Sequence, residues 1–130
     1  MCVPELLTAL KQNNETDPKA NTTEASTSTR PAIIIVGIES HICVTQTALD
    51  LLARGYDVYV LADGVSSCNK EEVPIALRRL GQAGVTVTSS ESFLYELMGD
   101  ASGSEFKALA GLVRESKETT KESLASLCKI

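Results

Sequence analysis

Residues 31–37 read Pro-Ala-Ile-Ile-Ile-Val-Gly, an unbroken run of β-branched side chains that ends in glycine. Ile and Val lose rotamer freedom in a helix and pack well on a pleated surface. An apolar run without polar alternation is the pattern of a strand covered on both faces, which is how parallel strands read. Residues 32–37 are therefore expected as the central strand of a parallel sheet. Parallel neighbours need crossover connections, usually helices. Residues 45–54 carry Ala48, Leu49, Leu51 and Leu52 and stop at Gly55, a residue suited to a left-handed helix cap. A strand over 57–61, a helix over about 69–80 ending near Gly81, and a strand over 85–88 repeat the unit. Pro74 lies inside that second helix, so the helix is expected either to begin near Val73 or to kink. Alternation of strand and helix implies an α/β fold with right-handed crossovers.

The flanks differ from this core. Pro4, Leu6, Leu7 and Leu10 outline a short amphipathic helix over residues 1–12. Residues 13–30 are rich in Thr, Ser and Asn and hold no side chain that could anchor a core, so they are expected as a disordered, low-complexity insertion. Past 88, Ser90 is expected to cap a helix holding Phe93, Leu94 and Leu97 and closed by Gly99. Phe106, Leu109, Ala110 and Val113 form the stripe of another. Residues 116–130 are polar apart from Leu124 and Leu127, and a frayed tail is expected there.

The chain has 130 residues, 43% hydrophobic, which is enough for one domain with a modest core. Its 17 acidic and 12 basic residues give a net charge of −5, which argues against a nucleic-acid partner. No apolar run approaches a membrane span and the start lacks a signal-peptide pattern, so no membrane partner and a cytoplasmic location are expected. Cysteines at 2, 43, 68 and 128 show neither a disulfide framework nor metal spacing, and free thiols are expected. No cofactor and no metal are implied.

In a parallel sheet, ligands gather beyond the carboxyl ends of the strands. Three segments reach that edge: residues 37–43, residues 63–68 and residues 89–91. Cys43 falls where the turn after the first strand enters a helix, and the positive end of a helix favours a thiolate nucleophile. Amides of the same turn could face the oxyanion formed on attack. The alternative is a buried structural cysteine. His41, the only histidine, could pair with Cys43 or simply line a pocket. On a helical turn, residues two apart do not share a face. Cys68 could form a redox pair with Cys43. Asp63, before Gly64, is either a turn residue or a pocket carboxylate. Glu71 and Glu72 read as helix-start charges, and a single glycine at 37 makes no phosphate loop.

Val36-Gly37-Ile38-Glu39-Ser40-His41-Ile42-Cys43-Val44 resembles the nucleophile motif of the isochorismatase-like cysteine hydrolases. Downstream, Ala48-Leu49-Asp50-Leu51-Leu52-Ala53-Arg54-Gly55, Asp63-Gly64-Val65-Ser66-Ser67, Gln82-Ala83-Gly84 and Met98-Gly99-Asp100-Ala101 with Phe106-Lys107 are similar to animal isochorismatase domain-containing proteins. The resemblance covers about residues 32–115. It implies a three-layer, Rossmann-like parallel-sheet fold, here truncated to about its second half with three main strands. It implies Cys43 as nucleophile, a cis peptide between Ile38 and Glu39, an oxyanion hole from the Glu39 and Cys43 amides, and Ser40 and His41 at the substrate. The family's base Asp and its Lys have no counterpart among these residues, since the segments that carry them have no match in the chain.

Two functions follow as expectations. One is hydrolysis of a small amide, ester or vinyl ether by Cys43. The other is an inactive truncated form that acts by self-association or partner binding, because the missing strands would leave residues 32–37 with an open edge. A homo-oligomer or edge-strand association is the expected assembly. Beside these two stands a thiol redox or ligand-binding module using Cys43 and Cys68.

Overall fold

The computed structural model describes residues 30–127. The helix expected over 1–12 and the insertion over 13–30, Arg30 apart, lie outside the described residues, as do Cys2 and Cys128. The described chain runs β1 (Ala32–Ile38), a π-helical turn (Ser40–Val44), α1 (Thr45–Ala53), β2 (Asp57–Ser66), α2 (Glu72–Ala83), β3 (Thr86–Thr88), α3 (Ser90–Met98) and α4 (Phe106–Leu127). The three strands are parallel in the order β1-β2-β3.

Side-chain period sorts the layers. Val58, Val60 and Ala62 alternate onto one face of β2, where they are buried with Ala48 and Leu51 of α1 and with Val73, Leu77 and Leu80 of α2. Val73, Ala76, Leu77 and Leu80 fall at i, i+3, i+4 and i+7, so one stripe of α2 meets the sheet. Tyr59 alternates to the opposite face, where its ring meets Phe93 of α3 edge-on at 5.2 Å and its hydroxyl donates to Glu96 Oε1 at 3.2 Å. Tyr95 and Phe106, 6.3 Å apart, tie α3 to α4, and both helices pack against β2. Helices therefore cover both faces of a parallel sheet, a three-layer α/β fold.

β1, which reads as a central strand by its residues and as an open edge by the resemblance, is the edge of the described sheet. Ile33 and Ile35 pack against the core, whereas Ile34, Val36 and Ile38 on the other face are 48%, 58% and 67% exposed. The β-branched run reads as doubly covered, yet among the described residues only one face and one edge of it are covered. β2 runs on past residue 61 to Ser66, because it absorbs a bulge: one residue of β1, Val36, between Ile35 and Gly37 lies opposite four of β2 between Val60 and Val65. Gly64 sits in that bulge, and a Cβ there would come within 2.7 Å of Val36 Cγ1. Any larger residue there would have to push the Val36 side chain aside.

Helix boundaries shift for local reasons. α2 begins at Glu72, so Pro74 is its third residue, where the missing N–H has no intrahelical partner to lose. The helix passes through Gly81 and ends at Gly84, whose φ of 102° is the left-handed cap geometry. Ser89, one residue before the expected cap, accepts from the Ser92 amide at 3.2 Å. Residues 116–127, expected as a frayed tail, continue α4 to Leu127, since their Lys, Glu, Leu and Ala content favours a helix once the preceding turns nucleate it.

Replacing Leu80, which is fully buried, by Ala is expected to lower the free energy of unfolding by about 2–5 kcal/mol. The same change at exposed Leu97 is expected to alter it by less than about 0.5 kcal/mol. Urea unfolding of the two variants checks both.

Candidate functional site

Parallel pairing brings Ile38 opposite Ser66, so the segments that leave the carboxyl ends of β1 and β2 emerge side by side. The peptide bond between Ile38 and Glu39 is cis. Residues 40–44 then form one π-helical turn that runs straight into α1, closed by the Val44 amide donating to the Glu39 carbonyl at 3.2 Å. Thr45 Oγ1 donates to the Ser40 carbonyl at 2.6 Å and pins the junction.

Cys43 lies on this turn with its thiol exposed and free. Its Sγ donates to the Ile38 carbonyl at 3.1 Å and accepts from the Glu39 amide at 3.1 Å. The Glu39 amide, expected at an oxyanion hole, thus touches the sulfur itself. Among the described residues, Sγ makes no hydrogen bond to a carboxylate, an imidazole or an ammonium. The alternative of a buried structural cysteine does not hold, because the residue is open to solvent.

The second strand contributes a residue that the sequence reading gave no role. Ser67 Oγ accepts from the Ser40 amide at 3.1 Å and is hydrogen-bonded to Ser40 Oγ at 2.5 Å and to His41 Nδ1 at 3.0 Å. Ser40 and Ser67 are both buried. His41 therefore bonds to the end of β2 and not to Cys43. The Glu39 carboxylate accepts from the Cys68 amide at 2.8 Å, with Oε2 3.9 Å from His41 Nδ1, beyond hydrogen-bond reach. Five bonded residues, Glu39, Ser40, His41, Ser67 and Cys68, stitch the Cys43 turn to the end of the neighbouring strand. The signal for Ser67 lay in its position, one residue past β2 beside the end of β1. Cys68 is exposed and free, and the structure holds no bond between it and Cys43.

Asp63 resolves as an anchor. Its Oδ1 accepts from the Ser90 amide at 2.8 Å and its Oδ2 from the Ser90 hydroxyl, so the carboxylate holds the first turn of α3 to β2. Glu72 stands in the first turn of α2, as a helix-start charge does. Asp63→Ala is expected to destabilise the chain by about 1–3 kcal/mol and to speed hydrogen exchange at the first amides of α3. Hydrogen-exchange mass spectrometry with urea unfolding reads both.

The site thus consists of a three-layer parallel α/β sheet with an exposed cysteine on the turn beyond its edge strand, at the end of the sheet where ligands gather in such folds. The chain belongs to the isochorismatase family: the family's sequence profile, described as Isochorismatase domain, matches residues 21–92. It is 40% identical over 132 residues to Isochorismatase family protein 1A of Dictyostelium discoideum, across 100% of this chain and 58% of that protein. It is 41% identical to Isochorismatase domain-containing protein 1 of Salmo salar over 65% of this chain and 30% of that protein. Among solved structures, that of MAR1 ribonuclease from Caenorhabditis elegans superposes with a TM-score of 0.68 and 34% identity, over 87% of this chain and 50% of that one. The chain spans about half the length of the first of these curated relatives and of that structure.

Proposed function

We propose that the turn after β1 is a cysteine-nucleophile centre acting on a small amide, ester or vinyl ether, with Cys43 as the attacking residue. The observation that carries this reading is an exposed Sγ held by the Glu39 amide on a rigid turn, in a chain of the isochorismatase family. For an ester or amide, the Cys43 thiolate adds to the carbonyl carbon. The oxyanion collapses as the alcohol or amine departs with a proton taken from solvent, leaving a thioester on Cys43. Water then cleaves the thioester, releasing the acid and returning the thiol. As sulfur bonds to carbon, the Glu39 amide passes from sulfur to the new oxyanion, where the Cys43 amide joins it. Ser40 and His41 contribute to the wall on which the substrate rests.

No base is hydrogen-bonded to Sγ among the described residues, so the thiol proton leaves to solvent. With no base at Sγ, acylation by these residues alone is slow relative to a centre that holds one. The ribonuclease name belongs to the Caenorhabditis elegans protein. On this chain 17 acidic against 12 basic residues favour a small substrate over a polyanion.

A second reading, self-association through β1, is favoured by Ile34, Val36 and Ile38 standing exposed on an edge strand. Such an edge templates pairing with another copy.

Incubation with p-nitrophenyl acetate followed by intact-mass measurement is expected to give one acetyl adduct, retained in Cys68→Ala and lost in Cys43→Ala. Equal labelling of Cys43→Ala overturns the nucleophile assignment. Sedimentation velocity over a wide concentration range tests the second reading: the expected outcome is a rising mass that Ile34→Lys suppresses, and an invariant monomer overturns it.

A further inference from the structure

A hydroxyl has one proton and two acceptor lone pairs. At Ser67 the Ser40 amide takes one lone pair, which leaves one lone pair and the proton to divide between Ser40 Oγ at 2.5 Å and His41 Nδ1 at 3.0 Å. Two arrangements satisfy Ser67. In the first, Ser40 donates to Ser67 and Ser67 donates to Nδ1, so the neutral imidazole carries its proton on Nε2. In the second, Nδ1–H donates to Ser67, Ser67 donates to Ser40 Oγ, and the Ser40 hydroxyl proton needs another acceptor. Ser40 is fully buried, and among the described residues its hydroxyl is bonded to Ser67 alone. The second arrangement strands a buried donor, which folded chains avoid. Glu39 does not reverse the choice: its Oε2 stands 3.9 Å from Nδ1 and is held by the Cys68 amide at 2.8 Å.

We propose that Ser67 is a positioning residue that fixes His41 as its Nε2–H tautomer, making the imidazole of the nucleophile turn a hydrogen-bond donor and not a base. The substrate chemistry this suits is a carbonyl or carboxylate oxygen that accepts from Nε2–H. In this tautomer Nδ1 is engaged and Nε2 already bears a proton, so His41 does not receive the Cys43 proton. The inference rests on the Cys43 reading for what the donor serves, whereas the tautomer itself follows from the hydrogen bonds alone.

His41 is the single histidine of the chain, so a two-bond proton–nitrogen correlation spectrum of the uniformly labelled full-length chain contains one imidazole pattern. Recorded above the titration range of free histidine, the unsubstituted chain is expected to show one fixed tautomer, protonated at Nε2. Ser67→Ala removes the donor to Nδ1, and Ser40→Ala frees Ser67 to donate or accept. Both are expected to relax the pattern toward the mixture of free histidine, while Ser67→Thr keeps the hydroxyl and restores the fixed form. A proton on Nδ1 in the unsubstituted chain, or an unchanged pattern in Ser40→Ala, overturns the proposal. If Ser67→Ala fails to fold, Ser40→Ala decides alone. The spectrum involves no turnover. A fixed Nε2–H tautomer without acetylation of Cys43 therefore sinks the nucleophile assignment and leaves this one standing, and a mixed tautomer with specific acetylation does the reverse.

Discussion

The parallel pairing of β1 with β2 is the constraint on which the rest depends. It sets Ile33 and Ile35 over the buried layer that α1 and α2 complete, and it ends with Ile38 opposite Ser66. Everything chemical lies in the few residues past that point. A one-residue slip of register would turn Ile33 and Ile35 to the other face and move Ser67 away from Ser40. Core packing and site geometry are therefore specified by the same ladder. The bulge in β2 at Gly64 belongs to it, because it lets β2 lengthen without losing step with β1.

Much of this was legible in the residues. The β-branched run, the Ala48–Leu52 pattern and the glycine at 55 are local signals, and they yield the α/β order and the sheet edge where Cys43 lies. Boundaries were less legible where two local rules compete. Gly81 looks like a stop, but α2 continues past buried Leu80 to Ala83, and Gly84 supplies the left-handed cap. The exposure of β1 could not be read from composition, since an apolar strand looks the same whether its outer face is covered or bare. The Ser67 junction could not be read from periodicity, because it joins positions 27 residues apart in the chain. Asp63 had two readings from sequence, turn residue or pocket carboxylate, and only the tertiary contact with Ser90 made it an anchor.

The site and the edge pull in different directions. The turn that carries Cys43 is held by buried hydrogen bonds to Ser67, just past β2, and by Thr45. The opposite face of β1, with Ile34, Val36 and Ile38, is apolar and open. The Cys43 turn is thus supported from one flank, while the strand that leads into it is bare on the other. Whatever meets that bare flank also stands next to the Ile38 carbonyl that receives the Cys43 thiol.

The π-helical turn holds one residue more than an α-turn, since its closing bond links Val44 to Glu39 across five residues instead of four. Removing one residue between Ser40 and Ile42 would let the segment close as ordinary helix without unravelling α1, with little loss of backbone bonding. The sulfur would then start from a different angular position, swung by roughly 100° about the helix axis, as each helical residue turns by that amount. The spare residue is in effect a phase setter: it leaves the helix intact and decides which way the thiol faces.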